Sequence, residues 1–270
     1  MVEISSKYKI GTRRFGAVNW IGAFTLYQKE VLRFLNVWMQ TLFSPLISSL
    51  LFLLVLSLAL GTTRSEVLGV PFIIFLAPGL IAMQVIQQSF SHSSSSFMIG
   101  KIQGNIVDVL YAPLSSSEVT LAVSLAAATR SIMIAAISII IFKFLIGLEI
   151  QNYLTLAIFT FLSSFILGSL GIIVGLWAEK FDHMASATNF IIVPLSFLSG
   201  TFYTIDKLPF FLQIISKANP FFYMIDGFRY SFIGISDSSI FVGIIYLLTL
   251  SVVTWFISFL LYKKGYKIRS

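Results

Sequence analysis

The sequence contains no cysteine and only two histidines, His92 and His183, which lie far apart. Without cysteine the chain has no disulfide, no thiolate nucleophile and no cysteine-ligated metal site. Neither histidine belongs to an H-E-x-x-H pattern or a similar metal-binding arrangement. We therefore expect no metal site in this chain.

Motifs for nucleotide hydrolysis and acyl transfer are also missing. Gly100-Lys101 is followed by Ile102 and lacks the upstream glycine of a phosphate-binding loop, and no G-x-S-x-G is present. The serines after His92, at 93–96, are typical of a solvated helix cap, and His183 beside Asp182 is typical of a surface pair. We expect no catalytic residue and no cofactor bound by this chain.

Charge is scarce as well. Charged residues make up 11% of the chain, against about 25% in a soluble domain, and 57% of the residues are hydrophobic. The mean hydropathy is +0.93. The sequence therefore predicts an all-α polytopic membrane protein forming one domain over 1–270. Its first apolar run starts near Trp38, so we expect no cleaved signal peptide.

Six apolar runs approach the roughly 20 residues needed to cross a bilayer. The six predicted spans are about 38–60, 71–91, 119–145, 153–177, 184–202 and 240–262. Residues 1–19 are basic and predicted to be mobile. Over 20–37, aromatic residues share one helical face and Lys29 and Arg33 lie opposite, which favours an amphipathic helix lying in the membrane interface. The alternative is the start of the first span.

Six spans place both termini on one side of the membrane, and the basic residues are unevenly divided between the two sides. The net charge is +7 and needs no nucleic-acid partner to explain it. By the positive-inside rule the more basic side, with both termini, is cytoplasmic. That side holds Lys7, Lys9, Arg13, Arg14, Lys29, Arg33, Lys101, Lys180, Lys263, Lys264, Lys267 and Arg269; the other holds Arg64, Lys143, Lys207, Lys217 and Arg229.

The segment between the second and third spans predicts a short cytoplasmic helix at about 99–110. Ile102, Ile106 and Leu110 fall on one side, and polar residues occupy the other positions. An ordinary connecting loop is the alternative. After Pro113, Ser115 followed by Glu118 predicts a capping box at the start of the next helix.

Two residues inside the predicted spans suggest irregular packing or function. Pro78, followed by Gly79, predicts a kink, either for packing or for a pathway. Arg130 costs ~2.5–3.5 kcal/mol to insert, so we expect it to contact another helix or a cavity; snorkelling to the interface is the alternative. No Asp or Glu lies within these spans, which argues against a proton relay.

The stretch 199–237 is too aromatic for a solvated loop and too interrupted for two spans. It predicts a re-entrant helical hairpin on the outer side over about 204–235, with its break at Asn219-Pro220. Asp226 and Arg229, three residues apart on its second helix, are predicted to pair.

Taken in order, these features resemble the type-2 ATP-binding-cassette exporter permeases. The resemblance covers the chain from about Trp20 onward. It is carried by LAPGLIAM at 76–83, GNIVD at 104–108, APL at 112–114, LSGTFY at 198–203, Leu208-Pro209 and NPFFYMIDGFRY at 219–230.

The resemblance implies the permease half of an exporter in a bacterial cytoplasmic (inner) membrane. It implies a homodimer in contact with membrane lipid and a separate ATPase subunit that binds ATP and Mg²⁺. The substrate would be an amphiphile, glycan, lipid or drug-like molecule. A secondary carrier or channel is the alternative, but we see neither an ion-coupling site nor an inverted repeat.

The resemblance also assigns roles to particular residues. The helix at 99–110 would be the coupling helix that binds the ATPase, and the hairpin would be the outer gate. Pro78 and Arg130 are candidates for the pathway or for inter-helix contacts because of their positions inside the predicted spans, not because of the resemblance. The coupling residues are Lys101, Gln103, Gly104, Asn105 and Asp108; the gate residues are Pro209, Asn219, Pro220, Asp226 and Arg229.

Overall fold

The computed structural model describes residues 18–60 and 66–268, and it is built almost entirely from helices. The mobile segment predicted for the basic N-terminus falls almost wholly outside the described residues. Five helices are long and apolar enough to cross a membrane, which makes the chain a polytopic helical membrane protein. They are Met39–Ala59, Phe72–Ile102, Ser116–Ile146, Tyr153–Trp177 and Ile240–Lys263.

The first helix, α1 (Trp20–Leu35), lies close to the predicted bounds. Asn19 caps it by accepting a hydrogen bond from the Gly22 amide at 3.0 Å. The Asn19 amide in turn donates to Glu118 Oε1 at 2.7 Å, which fixes the start of α1 to the start of a later helix. The aromatic residues Trp20 and Phe24 point outward, with 75% and 64% of their surfaces exposed.

A π-helical turn (Met39–Phe43) leads into α2 (Ser44–Leu60). Much of α2 is exposed and apolar, including Leu51, Leu54 and Leu58. A two-stranded hairpin of β1 (Glu66–Val67) and β2 (Val70–Pro71) returns the chain.

The helix α3 (Phe72–Ile102) is longer than the predicted span 71–91, because it continues through the serine run. The hydroxyls of Ser94 and Ser95 donate to carbonyls of the preceding turn, so these two side chains are satisfied within the helix. Gly104, with φ +76°, then ends the helix, and a short helix α4 (Ile106–Tyr111) follows. The prediction of one helix over 99–110 was therefore wrong.

The centre of the molecule is formed by α3, α5 (Ser116–Ile146) and α6 (Tyr153–Trp177). The predicted capping box of Ser115 and Glu118 is present at the start of α5. Close approach of α3 and α6 depends on Gly171 and Gly175, where added Cβ atoms would lie 2.5 Å from Phe90 O and 2.9 Å from Ser94 O.

The predicted fifth span, 184–202, is helical over 181–197. The stretch consists of α7 (Phe181–Ala187), a π-helical turn (Thr188–Ile192) and α8 (Val193–Phe197). It is shorter than the five long helices, because the chain turns after Phe197 through Gly200 at φ +77°. Six spans therefore remain a prediction.

After a 3₁₀ turn (Ile205–Lys207), the chain forms α9 (Phe210–Ala218) and α10 (Pro220–Ile233). Gly234, with φ +74°, ends α10, and α11 (Ile240–Lys263) completes the described helices. The two short helices differ in surroundings: α9 exposes Phe210, Phe211 and Ile214, whereas most of α10 is buried against α3 and α6.

Candidate functional site

A groove of about 310 Å³ lies between α2 and α3 and reaches the end of α8. One wall carries Gln40 of the π-helical turn and Ser44 and Ser48 of α2, all of which are exposed. Its α3 wall carries Gln84, Gln87 and Gln88. Aromatic side chains close one end. The lining residues are Gln40, Ser44, Pro45, Ser48, Phe52, Leu80, Met83, Gln84, Gln87, Gln88, Phe197 and Phe202.

The sequence reasoning missed this groove. Its signal was present as amides and hydroxyls recurring every three or four residues in otherwise apolar helices. Polar side chains within apolar membrane helices usually face the protein interior or a water-filled cavity. None of the residues that line the groove carries a charged side chain.

Arg130 lies behind the groove. The Arg130 side chain is 8% exposed, and its Nη2 donates to the side-chain oxygen of Gln88, a lining residue. The Nε of Arg130 has no hydrogen-bond partner. Arg130 therefore makes the inter-helix contact that was one of its two predicted roles.

Beside Arg130, a buried polar cluster connects α1 to α3. Glu30 Oε2 accepts hydrogen bonds from Arg33 Nε at 3.0 Å and from Ser96 Oγ at 2.8 Å. Arg33 Nη2 also donates to the His92 carbonyl at 3.0 Å. The His92 ring is fully buried, 3.6 Å from Glu30 Oε2. The interpretation of His92 as part of a solvated cap was wrong, because α3 continues past it.

The predicted coupling residues separate into two groups. Gln103, Gly104, Asn105 and Asp108 are exposed together on the turn and on α4, beside the exposed apolar residues Val107 and Tyr111. Lys101 instead donates from Nζ to the carbonyl of Leu176 at 2.8 Å and to that of Ala178. A cation at this position caps the C-terminal carbonyls of α6, so Lys101 supports the fold rather than the exposed turn.

Asn219 fixes the break between α9 and α10. Its Oδ1 accepts from the Phe221 amide at 3.1 Å, which caps α10 just before Pro220, the first residue of the helix. Its Nδ2 donates to Leu195 O at 3.0 Å and to Ser199 Oγ at 2.8 Å. Pro209 lies at the start of α9 and is exposed.

Asp226 and Arg229 do not pair, contrary to the prediction. The Asp226 carboxylate accepts from the amides of Asp237 and Ser238 at 2.9 and 3.0 Å and from Ser238 Oγ at 2.7 Å. Arg229 Nη2 donates to Gly200 O at 2.6 Å and Thr201 O at 3.2 Å. Each charge binds a different loop, because those loops offer backbone groups that have no helical partner.

Arg229 also stacks on Phe75 of α3, with its guanidinium carbon 4.0 Å from the ring centre. Next to it, Gly79 allows the loop to approach, since an added Cβ would lie 2.7 Å from Thr201 O. Pro78 is buried in the same turn, inside a continuous helix. These residues join α3, the 198–204 turn and α10 into one packed unit.

Comparison with known proteins places these features in context. The family model described as ABC-2 type transporter matches residues 22–233. The inner membrane transport permease YadH of Escherichia coli (strain K12) is 30% identical over 251 residues, covering 93% of this chain and 98% of YadH. Nodulation protein J of Rhizobium leguminosarum bv. viciae is 25% identical over 229 residues, covering 83% and 86% of the two chains. Nodulation protein J of Rhizobium meliloti (strain 1021) is 24% identical over 213 residues, covering 78% and 80%.

Proposed function

This chain belongs to the ABC-2 type transporter family, and we propose that it is the permease subunit of an ATP-driven exporter in a bacterial inner membrane. The observation that carries the proposal is the groove between α2 and α3. It brings amides and hydroxyls together between apolar helices, and its residues Gln40, Ser44 and Ser48 are exposed. Such a surface is one half of a passage through the membrane.

The other half would come from a second copy of the chain. The helix α2 forms one wall of the groove and leaves Leu51, Leu54 and Leu58 exposed. Packing of two copies through this region would close the groove into a pathway and bury these leucines. The region 181–197 would serve as the fifth of six spans, with both termini in the cytoplasm.

A separate ATPase subunit would dock on the exposed turn of Gln103, Gly104, Asn105 and Asp108, together with Val107 and Tyr111 of α4. ATP and Mg²⁺ would be bound by that subunit. Movement of the turn reaches the groove through α3, because the same unbroken helix carries Gln84, Gln87 and Gln88. The coupling element of this proposal is α3 itself, with α4 as its contact surface.

The substrate class that suits the groove is an amphiphile. The amides and hydroxyls can bind a polar portion, and Phe52, Phe197 and Phe202 can bind an apolar portion. In this proposal α9 and α10 form the outer gate, with α9 lying at the membrane surface and Asn219 holding the hinge to the 195–199 segment.

Reconstitution tests the function directly. The purified permease and its ATPase, placed in vesicles, should move a fluorescent amphiphile only when ATP and Mg²⁺ are supplied. Asp108→Arg should abolish both ATPase binding and transport, whereas Lys207→Ala, a matched exposed control on the opposite predicted side, should change neither. Transport without ATP or without the ATPase would instead support a secondary carrier or channel.

The topology has its own test, since the chain has no native cysteine. A cysteine at Asn105 should react with a membrane-impermeant thiol reagent from the cytoplasmic side only, and a cysteine at Lys207 from the outer side only. Both positions are exposed, so the reagent can reach them. Reversed labelling would invert the proposed orientation and remove the ATPase-docking role of α4.

A further inference from the structure

We propose that the end of the groove near α1 binds an anionic group of the substrate, of the phosphate type, through Gln88 and Arg130. The inference rests on the proposed export function and specifies the polar head of the amphiphile. Three observations support it: the orientation of the Gln88 amide, the charge balance around Arg130, and the position of Gln88 along the groove.

The Gln88 amide has a fixed orientation. A guanidinium group has only donors, so the bond from Arg130 Nη2 must end on the oxygen of Gln88. The NH₂ group of the same amide is then the part available to the groove that Gln88 lines. This wall therefore offers hydrogen-bond donors, which favour a ligand that carries acceptor oxygens.

The charge around Arg130 is not balanced by its neighbours. Among residues 18–60 and 66–268, no carboxylate lies within ion-pair distance of Arg130, and its buried Nε has no partner. The nearby Glu30 is already bound by Arg33 and Ser96. The Glu30 carboxylate is thus paired with Arg33, which leaves Arg130 without a counter-charge. A buried charge without a partner is costly, so a bound anion would supply the missing counter-charge.

The position of the pair matches the entry of an amphiphile. Gln88 and Gln40 lie toward the α1 end of the groove, and Phe52 and Leu80 lie farther along α2 and α3. An anionic head at Gln88 would leave the apolar portion against the aromatic end. Arg229 also has an Nε without a partner, but its Nη2 binds two backbone carbonyls and its guanidinium stacks on Phe75. It makes no hydrogen bond to a residue that lines the groove, so it offers no such site.

The experiment measures binding to the purified permease–ATPase complex in nanodiscs of phosphatidylcholine. The probes are dodecyl phosphate and the neutral dodecyl maltoside, which share one alkyl chain. For each protein, the preference is the ratio of its affinity for dodecyl phosphate to its affinity for dodecyl maltoside. This preference should be about tenfold or more larger in the wild-type protein than in the Arg130→Met protein. Arg130→Lys should retain part of the preference, and Gln88→Leu should reduce it.

The control is Lys143→Met, which removes an exposed cation from the last turn of the same helix and should leave the preference unchanged. An unchanged preference in Arg130→Met would overturn the proposal, as would an equal loss in Lys143→Met. Because Arg130→Lys and Gln88→Leu keep either the charge or the guanidinium, misfolding of one variant does not remove the test.

Two further measurements distinguish an amphiphile site from a free-anion site, and the anion site from the export function. Displacement of dodecyl phosphate by millimolar inorganic phosphate would assign the site to a free anion and overturn the amphiphile assignment; we expect no displacement. ATP-dependent transport is measured on the same protein variants after reconstitution into vesicles. Phosphate-selective binding without transport would contradict the export function while leaving the anion site intact, so the two failures are distinguishable.

Discussion

Arg229 and Arg130 are both buried in the helical core, but their surroundings differ. Arg229 is 2% exposed, binds the carbonyls of Gly200 and Thr201, and stacks on Phe75. Arg130 is 8% exposed and makes one side-chain hydrogen bond, to Gln88 in the wall of the groove. One cation is surrounded by fixed backbone, and the other adjoins an open cavity.

The difference indicates how a membrane protein uses a buried cation. Backbone carbonyls at a turn have no helical donor, so Arg229 satisfies groups that would otherwise be orphaned. Removing it leaves those carbonyls exposed to an apolar environment. Arg130 satisfies only an amide that water in the groove could also serve. We therefore assign Arg229 to stability and Arg130 to binding.

Among the variants considered, Arg229→Met is expected to cause the largest loss of stability. The substitution removes two charge-assisted hydrogen bonds and leaves two buried carbonyls without a donor, so the free energy of unfolding should fall by about 3 kcal/mol or more. Denaturant unfolding of the purified protein in detergent measures this change. A variant as stable as wild type would show that the 198–204 turn is held by other contacts.

The matched Arg130→Met variant should keep the stability of the wild-type protein or exceed it. Replacing an unpaired buried charge with an apolar side chain of similar length is often neutral or stabilising, by roughly 0–2 kcal/mol. The same unfolding measurement applies. If Arg130→Met loses as much stability as Arg229→Met, the division between a structural and a binding arginine is wrong.

The close packing around Arg229 can be tested with Gly79→Ala, which adds a methyl group and creates no cavity. The added Cβ would lie 2.7 Å from Thr201 O and 3.1 Å from Arg229 Nη2, so the turn must move away from α3. Overpacking of this kind costs about 1–3 kcal/mol. Gly243→Ala is the control, because its Cβ would lie 3.5 Å from its nearest neighbours and has room. Equal behaviour of the two alanine variants would contradict close packing at Gly79.

Gln88→Glu tests the conclusion that Arg130 lacks a counter-charge. The carboxylate would give Arg130 the counter-charge that it lacks, so stability should rise by about 1 kcal/mol or remain unchanged. Binding of dodecyl phosphate should be lost, because the anion would meet a negative wall. Retained phosphate binding in this variant would argue that the anion does not lie at Gln88.

The smallest effect is expected from Asp237→Asn, in the loop before α11. Burial raises the pKa of Asp237, whose carboxylate accepts from the Ile205 amide at 3.3 Å. A raised pKa in the folded state means that folding favours the protonated form. The carboxylate therefore lowers stability at neutral pH, and this penalty disappears as the pH falls through the folded-state pKa.

Asparagine keeps the acceptor without the charge. Asp237→Asn should thus raise the unfolding midpoint slightly at pH 7, and the difference from wild type should shrink as the pH is lowered toward 4. Thermal unfolding at several pH values measures this trend. A gain that grows with acidification would show that the pKa of Asp237 is lowered rather than raised.

Local signals in the sequence were sufficient for several elements. The capping box of Ser115 and Glu118 and the break at Asn219-Pro220 depend on neighbouring residues, and both are present as predicted. Five of the predicted spans correspond to long apolar helices. The family was identified from ordered motifs, and the family match and the relatives agree with it.

The errors share a physical cause, namely partners that are distant in the chain. Asp226 and Arg229 have the spacing of a helical pair, but loops at 237–238 and 200–201 provide better partners. Lys101 lies beside the exposed turn in sequence, yet its Nζ reaches the end of α6. His92 was predicted to be solvated because the serines after it are polar, whereas its ring lies against Glu30 of α1, which also accepts a hydrogen bond from Ser96.

The most direct test of the central claim is the accessibility of the groove to water. Single cysteines at Ser48 and Gln84, which line it, should react with a charged, membrane-impermeant thiol reagent, and their reactivity should change when ATP is added to the complex. A cysteine at Val252, on the exposed apolar face of α11, should remain unreactive in the bilayer. Equal lack of reaction at all three positions would contradict a transport pathway between α2 and α3.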